Sequence, residues 1–264
     1  MPIKLHPIYL LTEAMFITIN HKGKSYKADL SKPIDISIPL RAGLQNVNAW
    51  NTPPVKIEPV RAGDWIGEVA LGGSVNFRNI TFNPHGNGTH TECVGHISKE
   101  NYSINQVLRK FFFIAEVITI LPDELENGDY VITAQHIQNC LEDKKPEALV
   151  IRTVSNPVSK IDAQYSGTNP PYLTEDAMYL LVSLAIEHLL IDLPSVDKEQ
   201  DGGKVACHHI FWNYPNNTQL HKTITELIYV PNDVLDGSYL LNLQIASFEN
   251  DATPSKPVLY KIVM

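Results

Sequence analysis

Residues 83–96 read Asn-Pro-His-Gly-Asn-Gly-Thr-His-Thr-Glu-Cys-Val-Gly-His, so three imidazoles and one carboxylate fall within twelve residues. No other stretch restricts the fold as much. His90 and Glu92 are two apart, and in an extended chain their side chains leave the same face of a strand. Imidazole and carboxylate on one face are the ligand types that a zinc-like ion takes. His85 and His96 flank the pair and are read as a further ligand or a proton shuttle, and Gly86 and Gly88 loosen the backbone between His85 and His90. Whatever fold forms has to hold this segment on a rigid element and bring a second acid/imidazole pair to it from far downstream.

The rest of the chain supplies the scaffold. Residues 14–19 and 25–30, joined through Lys22-Gly23-Lys24, read as a hairpin. Residues 35–40 form another short strand, and 41–64, rich in Asn, Pro and Gly, read as a surface loop that can wall a pocket. The alternating stretch 74–82 leads as a strand into the histidine segment. Residues 102–109 read as a short helix, the nearly continuous apolar run 111–121 as a buried strand, and 123–129 as a solvated acidic loop. Thr133 is placed to cap a helix to about 141, with Lys144 and Lys145 near its negative end. Strand 148–153, a Thr174-capped helix to about 187 and strand 189–193 make a βαβ pattern with largely parallel pairing. A helix over 205–212 carries His208 and His209, and strands are expected over 223–230, 240–248 and 257–263, with Glu226 inside the first. No repeat or linker divides the chain, so one mixed α/β domain over 1–264 is expected, with 1–28 as an N-terminal hairpin extension.

Charge and cysteine usage narrow the partners. A net charge of -8 argues against nucleic acid or an anionic membrane, which need basic patches. No apolar run approaches the roughly 20 residues of a membrane span. Residues 1–11 are interrupted by His6 and Pro7 and lack a small-residue cleavage site, so no signal peptide is expected. Cys93, Cys140 and Cys207 do not make a disulfide framework, and a cytoplasmic location is expected. The partner left is a small-molecule substrate. Trp50, Trp65 and Phe82 can offer an apolar wall to an aryl group, although packing explains such residues as well. His6, His21, His136, His188 and His221 read as hydrogen-bonding or exposed groups, and Ser195 and Asp197 as residues that fix a loop. No Gly-x-Ser-x-Gly elbow supports a serine nucleophile.

The histidine segment resembles the signature of the metal-dependent cyclase family, which includes bacterial kynurenine formamidase of tryptophan catabolism. That signature runs His-x-Gly-Thr-His-x-Asp-x-Pro-x-His. Gly88-Thr89-His90 and His96 match, Glu92 stands at the Asp position, and Val94 replaces the Pro. The first signature His falls on Gly86, with His85 one place early. Asp29-Leu-Ser-Lys-Pro33 and Asp35-Ile-Ser-Ile-Pro39 are similar to the family's opening strand, Ile191-Asp-Leu-Pro-Ser-Val-Asp197 to its Ile-Asp-Thr-x-Ser-Val-Asp stretch, and Cys207-His208-His209 with Ile224-Thr-Glu226 to its late ligands. The resemblance implies a mixed-sheet domain of the swivelling β/α/β cyclase type that hydrolyses a carbon-nitrogen bond other than a peptide bond, in the manner of an arylformamidase. It implies one or two divalent ions, zinc or manganese, and a homodimer or homotetramer.

Carried over by position, His90 becomes a first-metal ligand, Glu92 the shared carboxylate, His208 (or His209) and Glu226 the second-metal ligands, and His96 the general acid/base. With Gly86 at the first ligand position, His85 or the Asn87 amide has to replace it. Two other readings compete with the hydrolase. One is a weakened relative that binds a small ligand without turnover. The other is a zinc-stabilised structural protein, which the shortage of cysteine ligands disfavours.

Overall fold

The strands at the heart of this fold have no exposed face. Ala148–Thr153, His188–Ile191 and Thr223–Glu226 are buried at every position. Strands covered on both faces suit parallel pairing with helices packed outside. In the computed structural model, which describes residues 13–263, Phe112–Ile120, Ala148–Thr153, His188–Ile191 and Thr223–Glu226 pair in parallel in that order. Gly237–Ile245 adds antiparallel to Phe112–Ile120, and Ala252–Val263 antiparallel to Gly237–Ile245. The three-residue strand His90–Glu92 then pairs with Thr223–Glu226 on one side and Ala252–Val263 on the other, antiparallel to both. This double pairing closes seven strands into a barrel. The mixed α/β fold is the expected one.

Alternation along the strands divides the apolar residues between two cores. Ala115, Val117, Ala148, Val150 and Leu190 gather with Leu241, Leu243 and Leu259. The neighbours that point the other way, Ile118, Ile120, Leu149, Ile151, Leu189 and Ile191, lie under a helical layer. That layer consists of Ala134–Leu141, Glu175–Ser183 and Ala206–Trp212, which present Ile137 and Leu141, then Ala177, Met178 and Leu181, then Phe211 and Trp212. Each large side chain so buried contributes roughly 1.5–3 kcal/mol.

Several elements differ from the sequence reading, each for a physical reason. The expected hairpin forms between Phe16–His21 and Lys24–Asp29; His6 and the rest of residues 1–12 lie outside the described residues. The strand expected over 74–82 shrinks to Arg78–Thr81, because its only ladder partner among the described residues is Lys56–Pro59, inside what read as a loop. The acidic stretch is not wholly solvated. Asp123–Glu124 pairs with Tyr130–Ile132, and Asp129 is buried, accepting from Asn169 (2.8 Å), Tyr172 (3.0 Å) and Lys198 (2.6 Å). Thr133 caps its helix in a reciprocal box with His136. Lys144 leaves that helix end for the buried Glu116, since an unpaired buried carboxylate costs more than the 0.3–1 kcal/mol, or about that, of a helix-end charge. Thr174 makes no cap bond and donates instead to the Ile132 carbonyl (3.2 Å). Its helix stops at Ser183, short of 187, and Ala185 takes a left-handed turn into the next strand. No helix among the described residues is long and apolar enough to cross a membrane.

His188 shows what this core does to a titratable group. It sits inside the sheet with Nδ1 2.8 Å from Thr223 Oγ1 and its ring centroid 3.9 Å from that of Phe113. Burial, with His221 and Lys110 nearby, pushes its pKa down to about 3. A pKa below the unfolded value means that stability is intact above about pH 6.5 and falls as the unfolded chain takes up a proton that the folded chain refuses. Between pH 7 and pH 5 this one residue is expected to cost about 2 kcal/mol. Urea denaturation at the two pH values checks this: His188→Gln should lose less stability than the parent by about that amount, and equal losses would contradict it.

Candidate metal centre

Strand register builds the first half of the site. His90 lies directly opposite Glu226 and Glu92 opposite Ile224, so all four side chains leave the sheet on the helix-covered face. The second half comes from the helix Ala206–Trp212. Its buried stripe of Cys207, His208, Phe211 and Trp212 is apolar except for His208, which comes down onto Glu92. His208 Nε2 stands 3.0 Å from Glu92 Oε1 and 3.8 Å from Glu226 Oε1, and His90 Nε2 stands 3.4 Å from Glu226 Oε2. Residues far apart in the chain, on two strands and a helix, therefore share one centre.

Fixed hydrogen bonds aim each group. His90 Nδ1 faces the Gly88 carbonyl at 3.0 Å. A carbonyl only accepts, so Nδ1 carries the proton and the Nε2 lone pair points at the carboxylates. The Val196 N–H donates to Glu226 Oε1 (3.1 Å), leaving Oε2 for His90. Asp197 accepts from the Cys207 and His208 N–H groups (2.7 and 3.2 Å) at the start of the helix and binds His208 Nδ1. It fixes the loop, as the sequence reading held, and also orients a site imidazole.

His85 arrives through a single helical turn. Asn83 caps Pro84–Asn87 by accepting from the His85 and Gly86 N–H groups. The turn swings His85 inward, with Nδ1 3.2 Å from Glu92 Oε2 and Nε2 2.9 Å from Asp251 Oδ2. Gly86 could not serve in its place: a Cβ there would lie 2.5 Å from Thr52 Oγ1 and 2.8 Å from the Ala49 carbonyl. Asn87 turns away, accepting from the Asn83 N–H and donating to Thr52 and Pro53. His96 Nδ1 lies 3.7 Å from Glu92 Oε2 and 3.4 Å from Asp251 Oδ2, and its side chain is 31% exposed at the cleft.

The electrostatics suit a cation. Burial opposes charge on Glu92, but His96, His208 and His85 outweigh it and hold the carboxyl well below its ordinary range. Burial opposes charge on His208 too, yet Asp197 and Glu92 raise it well above the ordinary imidazole value; for His85, Asp251 and Glu92 overcome burial and push the pKa up to about 10. Protons on these imidazoles balance the acids, and a divalent ion can replace them. Two buried atoms at the centre, His90 Nε2 and Glu92 Oε2, have no hydrogen-bond partner among the described residues, with His85 Nδ1 standing 3.2 Å from the latter. An orphaned buried acceptor costs about 1–3 kcal/mol. Ligand atoms from His90, Glu92 and Glu226 lie within 4.8 Å of one another, as do those from His85, Glu92 and His96. Four tetrahedral ligands about 2.1 Å from a zinc ion stand about 3.4 Å apart. The imidazole–carboxylate contacts here run from 3.0 to 3.8 Å, within sets that lie inside 4.8 Å. The residues fit the ion that the sequence implied.

The centre opens into a cleft of about 290 Å3 whose walls include Trp50, Thr52, Asn83 and Lys198. Trp50 belongs to it, held in a left-handed backbone conformation (φ 60°). Trp65 does not. It lies on the small hairpin Arg61–Ala62/Trp65–Ile66, packed on Phe77, so its expected place in a substrate wall is corrected. Phe82 stacks on Phe248. His209 turns to the Tyr214 carbonyl (3.1 Å), which leaves His208 as the site imidazole of that pair. The residue that sequence reasoning missed is Asp251. It precedes a strand whose pairing with His90–Glu92 has no local signal, and the polar run Glu249-Asn250-Asp251 between two strands was the only hint.

Comparison with known proteins places this geometry. Residues 29–198, more than half of the chain, match the family model Cyclase, described as "Putative cyclase". Among solved structures, isatin hydrolase A from Labrenzia aggregata bound to benzyl benzoate is similar with a TM-score of 0.64 at 16% identity, covering 87% of this chain and 93% of that one. A predicted metal-dependent hydrolase from Bacillus stearothermophilus gives 0.60 at 18%, covering 87% and 98%. A structure described as a potential metal-dependent hydrolase with cyclase activity gives 0.62 at 17%, covering 87% and 97%. At these identities the structures speak for the fold, and the family match settles membership: the chain belongs to the cyclase family.

Proposed function

We propose that this protein is a metal-dependent hydrolase of a carbon-nitrogen amide bond in a small substrate, an N-formyl aryl amine or a cyclic amide. The observation that carries the reading is the lone pair of His90 Nε2, buried, unpartnered and held toward Glu226 and Glu92 by the Gly88 carbonyl. His90, Glu92, Glu226 and His208 would hold one ion, and His85 with the other oxygen of Glu92 would extend the site to a second. Zinc suits this set of imidazoles and carboxylates, and manganese is the other candidate. Bound there, such an ion supplies a water acidified to a pKa of about 7 and a Lewis acid for the amide carbonyl.

The chain's own residues do the rest. His96 is exposed at the cleft and bound to no backbone group, so it can take a proton from the attacking water and deliver it to the departing amine. Trp50 offers an aromatic face to an aryl group. The cleft volume is near the lower limit of small-molecule sites, which favours a compact substrate over a polypeptide. The fold shared with isatin hydrolase supports the cyclic-amide version, since isatin is itself a cyclic amide. Free cysteines support a cytoplasmic location. Exposed Val69, Leu71, Phe77 and Ile80 on the arm between the cleft residues Thr52 and Asn83 support a homo-oligomer.

Three variants test the reading, with zinc uptake and chelator-sensitive hydrolysis of an N-formyl aryl amine and of isatin as the measurements. His90→Ala should lose the metal and the activity. His96→Ala should keep the metal and lose about 10^2-fold or more in kcat. Gly86→Ala should lose about 1–3 kcal/mol of stability and weaken metal uptake, because its methyl group displaces the loop that seats the His85 turn. A metal-free parent that is fully folded and inert toward both substrates would replace this reading with that of a binding protein.

A further inference from the structure

Glu92 is the carboxylate that the ligand groups share, yet a second carboxylate touches two of the same imidazoles from outside. A single oxygen, Asp251 Oδ2, lies 2.9 Å from His85 Nε2 and 3.4 Å from His96 Nδ1. The two rings lie against each other with centroids 4.4 Å apart and planes inclined by 33°. Asp251 is therefore placed to decide which nitrogen of each ring carries a proton.

Its position is built. The Asp251 carbonyl accepts from the Cys93 N–H (3.0 Å), one residue past Glu92. The next residue, Ala252, is the register partner of Glu92 in the seam that closes the barrel. On the other side, the Asn250 carbonyl accepts from the Ile104 N–H (2.9 Å), and the Asn250 side chain donates to the Ala252 carbonyl (3.0 Å). Gly95 lets this turn approach the one that carries His96: a Cβ there would lie 3.2 Å from Asp251 Cβ and 2.2 Å from the Tyr102 carbonyl. The carboxylate is thus tied to the backbone on both sides of the metal-ligand segment.

We infer that Asp251 is a positioning residue that fixes the tautomers of His85 and His96 once an ion replaces the proton between His85 and Glu92, leaving the His85 lone pair on Nδ1 toward that ion and the His96 lone pair on Nε2. The assignment follows from hydrogen-bond polarity. An ionised carboxylate only accepts, so the nitrogen facing it carries the hydrogen. For His85 that is Nε2; Nδ1 faces the Glu92 carboxylate as well, and its lone pair is free only when an ion takes the place of the proton between them. For His96 it is Nδ1, and Nε2 is then the basic nitrogen. A carboxylate behind a ligating or proton-transferring imidazole sets its orientation and raises its basicity, and losing such a partner typically costs about 10- to 100-fold in metal affinity or activity.

The inference rests on the hydrolase reading, and the test separates the two. Zinc is titrated into the full-length chain and into Asp251→Asn and Asp251→Glu by chelator competition, and the zinc-loaded, 15N-histidine-labelled parent is examined by long-range 1H–15N correlation. In the parent, His85 should show hydrogen on Nε2 and His96 hydrogen on Nδ1. Asp251→Asn should bind zinc about 10- to 100-fold more weakly and lose kcat with little change in KM, and Asp251→Glu should recover part of both. A His85 hydrogen on Nδ1, or an Asp251→Asn zinc affinity equal to the parent's, overturns the positioning role and leaves the hydrolase reading standing. A folded parent that takes up neither zinc nor manganese and hydrolyses neither substrate overturns both. The parent spectrum needs no variant, so a misfolded substitution does not hide the answer.

Discussion

The antiparallel seam at His90–Glu92 is the constraint on which the rest of the molecule depends. Three residues are hydrogen-bonded to a strand on either side, and that double pairing turns an open mixed sheet into a closed barrel. The same three residues present His90 and Glu92 to the helical layer. Closure and ligand placement are therefore one event. A register slip of one residue would put Thr91 at one of these two positions and Thr89 or Cys93 at the other, and turn His90 and Glu92 to the opposite face of the sheet. Thr91 and Thr225 bond to each other across the seam at 2.8 Å on that face, which supports the register that the site requires.

The seam also concentrates charge where the core would otherwise be apolar. Four carboxylates, from Glu92, Glu226, Asp197 and Asp251, meet four imidazoles, from His85, His90, His96 and His208. Most of these groups are buried, and a buried charge is tolerated only when its partners are fixed in place. Backbone groups do much of the fixing: the Gly88 carbonyl, the Val196 N–H and the first N–H groups of the helix Ala206–Trp212 each hold one member. The cost is left at His90 Nε2 and Glu92 Oε2, the two atoms of the centre without partners among the described residues. Functional sites commonly violate the rules of packing in this way, with stability supplied elsewhere. Here the two apolar cores on either side of the sheet supply it.

Much of this was legible in the sequence wherever the signal is local. The apolar strands, the helix capped by Thr133 and the period-two spacing of His90 and Glu92 are short-range patterns, and they appear as expected. His208 and Glu226 were singled out because they stand beside recognisable family motifs, and His208 lies against Glu92 although 116 residues separate the two. What stayed hidden depends on contacts between distant segments. Trp65 and Trp50 look alike in the sequence, and only the pairing of Lys56–Pro59 with Arg78–Thr81 carries Trp65 out onto an arm while Trp50 remains at the cleft. His85 looked one place out of register because the compaction of a single helical turn is not visible in residue counting. Asp251 drew no reading from the sequence, because nothing nearby announces that the strand after it closes the barrel.

The central claim is that imidazoles and acids brought together by the seam share one cation. Anomalous diffraction at the zinc absorption edge, from crystals of the zinc-treated protein, tests it most directly. The account predicts a peak about 2.0–2.2 Å from His90 Nε2 and from an oxygen of Glu92, with Glu226 as a third neighbour. Well-ordered density for all three side chains with no anomalous peak between them, or a peak bound only elsewhere on the protein, would contradict it.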